Sequence, residues 1–129
     1  MSVAWLIREG SKLPDIGVGT GIRFVPIESG KREAASCQLS GYEILITDEV
    51  AIDAALLKRC RWLRGIVGLG PRAGEIVDWP LVERRGLLAA IVEPESERTV
   101  ELERLTEILA VMERRLRRLD DIADTWEGT

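Results

Sequence analysis

Short, mainly apolar segments constrain the fold of this 129-residue chain more than any other feature. Their apolar character is continuous instead of alternating, which is typical of strands buried on both faces of a parallel sheet. Four such segments lie at residues 3–7, 22–27, 43–47 and 64–69, and a fifth candidate lies at residues 87–92. The sequence therefore predicts a sheet of four or five parallel strands.

Helical patterns separate the later apolar segments. Residues 52–62 carry apolar side chains at helical spacing between the third and fourth segments, which predicts a β-α-β unit. A second short helix is predicted at residues 79–85, because Asp78 is a good N-cap and Gly86 stops a helix. Strands that alternate with helices indicate an α/β fold. We therefore expect residues 1–97 to form a flavodoxin-like three-layer domain with a parallel sheet.

The C-terminal residues 98–126 follow a heptad pattern, which predicts one long amphipathic helix. Two interpretations are open: the helix packs on its own domain, or it also meets a partner chain. We prefer the second, since about 25 helical residues span roughly 37 Å, more than the sheet of a small domain covers. The predicted partner is a second copy, which gives a homodimer, or a separate subunit. The seam consists of Leu102, Leu105, Leu109, Met112, Leu116, Leu119, Ala123 and Trp126.

Composition argues against several classes of function. The chain has 18 Lys plus Arg against 22 Asp plus Glu, so we expect no basic face for a nucleic-acid partner. It contains no histidine, which removes the commonest general base and the commonest metal ligand. No carboxylate pair has ligand spacing either, and we expect no metal and no other cofactor.

The cysteines and the N-terminal segment indicate where the protein works. Cys37 and Cys60 have neither redox-pair nor zinc-site spacing, so we expect reduced thiols. The apolar N-terminal run ends at Arg8 and is too short for a signal peptide or a membrane span. The prediction is a cytoplasmic protein with no membrane partner.

A first glycine-rich stretch, residues 17–21, looks like a phosphate-binding loop but lacks its context. The dinucleotide fingerprint G-x-G-x-x-G needs glycine at the position of Ile22, and a strand instead of a helix follows. We therefore expect a flexible loop here and no bound nucleotide.

A second glycine-rich stretch, residues 65–75, contains the fourth predicted strand and the loop after it. In a parallel sheet this loop lies at the carboxyl edge, where open α/β sheets place their ligands. Arg72 supplies a forked cation suited to a carboxylate or phosphate, and a solvated arginine is the alternative. The expected ligand is a small anionic metabolite. The predicted ligand-binding residues are Gly70, Pro71, Arg72, Ala73 and Gly74.

Three acidic residues accompany this loop. Asp48 and Glu49 directly follow the third segment at the same predicted edge, and Glu75 lies at the end of the second glycine-rich stretch. They are weak candidates for acid-base catalysis if the chain is an enzyme. Asp48 has a competing interpretation as the N-cap of the following helix.

Most of residues 42–126 resembles the substrate-binding half of the D-isomer-specific 2-hydroxyacid dehydrogenases. The order and spacing of several motifs carry the resemblance, since no single motif is highly specific. The motifs are YEILIT at 42–47, AALLK at 54–58, WLRGI at 62–66, the glycine-rich loop from 70, the D-x(7)-G helix from Asp78 to Gly86, the VEP crossover at 92–94 and the long helix from Thr99.

The resemblance implies a substrate domain without its catalytic partner. In that family a nucleotide-binding domain with the catalytic Arg, Glu and His follows the long helix, and this sequence stops near that point. Pro71 and Ala73 stand where the family has two loop glycines, and Glu93 stands where it has asparagine. We therefore expect a non-dehydrogenase binding or accessory protein. The alternatives are a small cofactor-free biosynthetic enzyme (isomerase, decarboxylase or cyclase), one subunit of a split NAD-dependent dehydrogenase, or a structural remnant.

Overall fold

The computed structural model describes residues 2–8, 21–27, 39, 41–92 and 98–127, with the side chains at 98–99 and 123–127 left aside. The strands and helices alternate along the chain, as the apolar segments predict. In chain order they are β1 (Val3–Arg8), β2 (Ile22–Ile27), β3 (Ile44–Thr47), α1 (Ala54–Arg59), β4 (Gly65–Leu69), α2 (Ala73–Ile76), α3 (Trp79–Arg84), β5 (Leu88–Val92) and α4 (Arg98–Glu127).

The five strands run parallel in one sheet, in the order β2-β1-β3-β4-β5. This order is that of flavodoxin-like folds, so the predicted α/β class and parallel sheet are confirmed. Each strand begins and ends within one residue of its predicted bounds. The signal was strong because every residue of β3 and of β4 is buried, which favours a run of apolar or small residues.

Helices α1, α2 and α3 cover one face of the sheet. Leu56 and Leu57 from α1 and Val82 from α3 join a buried cluster with Leu45 and Ile66 of the inner strands. Leu56 and Leu57 belong to the helical pattern of apolar residues that predicts a helix between β3 and β4. The β-α-β unit predicted from the sequence is therefore present, with its helix packed on the sheet.

Capping residues set the starts of the two longer helices on this face. Asp78 caps α3 as predicted, and its carboxylate accepts a hydrogen bond of 3.3 Å from the backbone N–H of Leu81. Helix α1 is capped by Asp53, whose carboxylate accepts from the N–H of Leu56 at 3.0 Å. The alternative in which Asp48 caps this helix is wrong, because five residues separate it from Ala54, where α1 begins.

Arg85 holds the other end of α1. Its guanidinium donates hydrogen bonds to the carbonyl oxygens of Leu57 and Cys60, the second at 3.2 Å. Cationic donors at a helix C-terminus satisfy carbonyl groups that have no partner within the helix. Cys60 itself is a buried free thiol, and Cys37 lies outside the described residues. Burial raises the pKa of the Cys60 thiol, and the charge of Arg85 opposes that rise.

Helix α4 covers the second face of the sheet. The expectation that the helix is too long to pack on its own sheet is wrong for much of its length. Leu105, Leu109, Met112 and Leu116 are buried in one cluster with side chains of the inner strands. Eleven or twelve residues of helix rise about 17 Å, close to the length of a five-residue strand, so this part of the seam fits one sheet. The seam is therefore a core face of its own chain from Leu105 to Leu116. Beyond it, Leu119 is 51% exposed.

Candidate functional site

The predicted site lies where β3 and β4 end side by side. Thr47, the last residue of β3, pairs in register with Gly68 of β4, so the two following loops are neighbours at the carboxyl edge. An ideal Cβ atom placed on Gly70 would lie 4.0 Å from the Cβ of Asp48, which measures how close the two loops come. The fold therefore brings the acidic and the glycine-rich candidate segments together, as the sequence predicted.

Thr47 shapes the loop after β3. Its buried hydroxyl donates to the carbonyl oxygen of Val50 at 2.6 Å and accepts from the N–H of Val50 at 3.1 Å. This closed turn puts Asp48 and Glu49 at its tip, where Asp48 is half-buried and Glu49 is exposed. Asp48 also takes part in an interaction with another group of the chain.

The loop after β4 turns sharply at Gly70, whose φ is +81° and which is buried. Only glycine adopts this backbone region without strain, so the turn explains the residue type. Pro71 and Arg72 follow on the surface, and the single turn α2 then begins at Ala73. The sequence did not predict α2, because four residues give no periodic signal.

Trp79 fixes this loop on the sheet. Its indole Nε1 donates a hydrogen bond of 2.9 Å to the carbonyl oxygen of Ala73. A Cβ atom on Gly68 would lie 2.9 Å from the Cβ of Ala73 and 3.0 Å from Cζ2 of Trp79, so only glycine lets the three residues meet. Sequence reasoning assigned Trp79 only to the start of a helix, and nothing in its local pattern indicated this contact.

A two-stranded bridge ties the loops after β3 and β4 together. The N–H of Ile52 donates to the carbonyl oxygen of Ile76 at 2.8 Å, and the N–H of Asp78 donates to that of Ile52 at 3.0 Å. Ile52 and Val77 pair here as an isolated parallel bridge. The candidate site therefore stands on backbone that is hydrogen-bonded at both of its loops.

The predicted ligand-binding residues divide into two groups. Pro71, Arg72 and Gly74 are exposed, as is the candidate acid Glu75. Gly70 is buried, and Ala73 is 1% exposed with its methyl group close to Gly68. Contact between Ala73 and a ligand would therefore have to use the backbone. Its N–H already donates to the carbonyl oxygen of Gly70 at 3.4 Å.

Arg72 is an exposed cation at this edge, and Arg8, the last residue of β1, is a second. Among the described residues, no acidic side chain forms an ion pair with the guanidinium of Arg72. Arg72 also lies between Pro71, which has no N–H, and the buried Ala73. An anion at this edge would therefore meet a forked donor on a fixed loop.

Comparison with known proteins gives no assignment: no protein-family model matches the chain, and no curated protein matches it significantly. Within the described ranges, no helix is long and apolar enough to cross a membrane. The same part of the chain holds no group of three or more Cys, Asp or Glu side chains arranged to bind a metal ion.

Proposed function

We propose that this chain is a small-anion-binding or accessory protein that resembles the substrate domain of the D-isomer-specific 2-hydroxyacid dehydrogenases and is not a self-sufficient dehydrogenase. One observation carries the proposal. Arg72 is exposed at the carboxyl edge of a parallel sheet and pairs with no acidic side chain among the described residues. Ligands of open α/β sheets bind at this edge.

The construction of the loop supports binding by Arg72. The hydrogen bond from Trp79 to Ala73 and the bridge between Ile52 and Val77 hold the backbone that follows the arginine. On its other side, β4 ends at Leu69, three residues before Arg72. A fixed backbone lowers the entropy that a ligand must remove, so more of the interaction appears as affinity.

Because of the residues beside it, the side chain of Arg72 contributes more to binding an anion than the backbone of the loop does. Pro71 offers no N–H, and the N–H of Ala73 is already used by Gly70. Backbone donors are thus fewer than a loop with glycine at both positions would have. A carboxylate or phosphate group would depend on the two parallel hydrogen bonds that a guanidinium can donate.

The test is calorimetric titration with a panel of 2-hydroxy carboxylates, 2-oxo carboxylates and inorganic phosphate. For any probe that binds, Arg72→Ala should weaken the affinity about ten- to hundredfold, since a charge-assisted pair contributes about 1.5 to 3 kcal/mol. Arg72→Lys should recover part of that loss. Arg84→Ala removes an exposed arginine from α3 and is the matched control, for which we expect no change. Equal effects of the two alanine variants, or no binding by any probe, would refute the proposal.

A cofactor-free enzyme is the second candidate, favoured by the closeness of Asp48 to Gly70 at the same edge. In it Asp48, Glu49 or Glu75 would act as the acid-base group and Arg72 would hold the anion. Exchange of the hydrogen beside a substrate carbonyl for deuterium in D2O, followed by NMR, separates the two functions. Exchange that depends on the protein and is lost in Asp48→Asn, Glu49→Gln or Glu75→Gln supports an enzyme. If the chain is only a binding protein, we expect no exchange.

Dehydrogenase activity is tested separately. We expect no binding of NADH, because the sequence lacks the fingerprint glycines, and no oxidation or reduction of 2-hydroxy or 2-oxo acids, because it contains no histidine. Calorimetric titration with NADH measures the binding, and a dissociation constant in the micromolar range would contradict the proposal.

A further inference from the structure

A groove of about 300 Å³ lies between β5 and α4, away from the loops that carry Arg72. Residues from Leu88 to Ala90 line it on the strand side, and Ile108, Val111 and Met112 are among the helix residues that line it. Val111 is 41% exposed, and Ile91 on the same strand is 48% exposed. Large apolar side chains are thus left uncovered beside a concave surface.

The strand beside the groove is unprotected as an edge. In the described sheet β5 pairs only with β4, so its other side faces away from the remaining strands. The strand has no charged residue, no proline and no bulge from Leu88 to Val92. Soluble proteins normally protect an edge strand with such features or cover it, because its free N–H and C=O groups pair readily with another strand.

We propose that the face formed by β5 and α4 binds a second copy of this chain around a two-fold axis. The two β5 strands pair antiparallel, centred on Ala90, and the two sheets become continuous. Each Ala89 then lies opposite Ile91 of the other copy, so a small side chain meets a large exposed one. On the helix side of the sheet Leu88 lies opposite Val92 of the other copy, but Val92 is already buried in its own core, so the contact rests on Ala89 and Ile91.

The charges on α4 select a second copy over an unrelated partner. Glu107 and Arg115 both line the groove, four residues before and four residues after Val111. A two-fold axis through Val111 puts Glu107 of each copy opposite Arg115 of the other, because residue i meets j and j meets i in such interfaces. The face formed by β5 and α4 is therefore complementary in charge to the same face of a second copy.

The strand and helix contacts are compatible with a single axis. Ala90 and Val111 line the same groove, so both centres of pairing lie at one level of the fold. Arg104 and Arg118 lie seven residues on either side of Val111 and are exposed. In this arrangement Arg104 of each copy faces Arg118 of the other, about 10 Å along the helix from the axis. These like charges repel, so the two helices must diverge beyond their central turns.

A charge-swap cycle tests the proposal, with mass measured by light scattering and dissociation constants by sedimentation equilibrium. The wild type should be dimeric. Glu107→Arg and Arg115→Glu should each raise the dissociation constant about tenfold or more, because each puts like charges across the axis twice. The double variant Glu107→Arg/Arg115→Glu should restore the dimer. Glu83→Arg, a matched swap at an exposed site of α3, should leave it unchanged.

A second variant tests the strand contact without touching the helix. Ala89 is exposed, so Ala89→Lys should leave the fold intact, as measured by circular dichroism, while the new charge blocks pairing of the two β5 strands. Monomeric Ala89→Lys with a native spectrum supports the proposal. A monomeric wild type, a dimer that tolerates Ala89→Lys, or single charge variants that the double variant fails to rescue would each overturn it.

Discussion

The guanidinium of Arg64, just before β4, holds the carboxylate of Asp120 in α4 through two contacts of 3.1 and 2.9 Å. Glu43, just before β3, lies 3.6 Å from the same guanidinium. The hydrogen bond that Arg64 donates to the carboxylate of Asp120 raises the pKa of Arg64 above its ordinary value. Helix α4 is thus tied to the amino-terminal edge of the sheet, at the opposite end from the candidate site.

Removing this pair should loosen the end of α4 without unfolding the protein. Both side chains are partly exposed, so Asp120→Ala should lower the free energy of unfolding by no more than about 1 kcal/mol, and less at high salt. Hydrogen exchange should quicken in the helix beyond Leu116. Glu103→Ala, an exposed change on the same helix, is the control. Equal exchange in the two variants would mean that the pair does not hold the helix.

The buried and exposed halves of the leucine seam should respond differently to truncation. Leu109→Ala should lower the free energy of unfolding by about 2 to 5 kcal/mol, because it leaves a cavity between α4 and the sheet. Leu119→Ala should lower it by less than about 1 kcal/mol, since this side chain is half exposed. Urea denaturation of both variants is the measurement. A large loss for Leu119 alone would place the core of the helix further along the chain.

Gly68 should tolerate no side chain. In Gly68→Ala the new methyl group meets Ala73 and Trp79 at 2.9 and 3.0 Å, so we expect a loss of about 1 to 3 kcal/mol. An added Cβ on Gly74 meets no atom within 4 Å and lies in α2, so Gly74→Ala should be neutral or stabilising by up to about 1 kcal/mol. Thermal unfolding compares the two. Similar stability for both variants would contradict the close packing of Trp79 on the strand.

Cys60 should make the protein less stable at alkaline pH. Burial raises the pKa of its thiol in the folded state, so above the unfolded-state value of about 8.5 the unfolded chain loses this proton first. The resulting stability is complete below that pH and is lost as pH rises through the folded-state pKa. Between pH 7 and pH 10, the midpoint temperature of thermal unfolding should fall more steeply for wild type than for Cys60→Ala. Parallel curves would show that the thiol does not contribute.

The inner strands were predictable because a strand that is buried on both faces needs apolar or small residues at successive positions. Every position of β3 and β4 must be apolar or small, so the runs near Ile44 and Gly65 could be read without knowing their neighbours. The start of α3 was predictable for a similar local reason, since Asp78 caps the backbone only three residues away.

Other features depend on contacts that the local pattern does not carry. Asp48 and Asp53 are equally good N-cap types, and only the position of α1 selects Asp53. Helix α2 is held by the indole of Trp79, six residues from its partner Ala73. The heptad seam has the same appearance whether it packs on a sheet or on another helix. At the site, the position of Arg72 at the carboxyl edge was predictable, whereas the burial of Ala73 was not.

Helix α4 follows the five described strands in the chain, and this order affects how the protein matures during translation. The side chains of Trp5 and Ile46 are fully buried, and they share a cluster with Leu105 and Leu116. Because the N-terminal part leaves the ribosome first, this face of the sheet stays open to water until α4 has emerged. Nascent chains arrested before residue 116 should therefore bind chaperones that recognise apolar surface, and longer chains should release them.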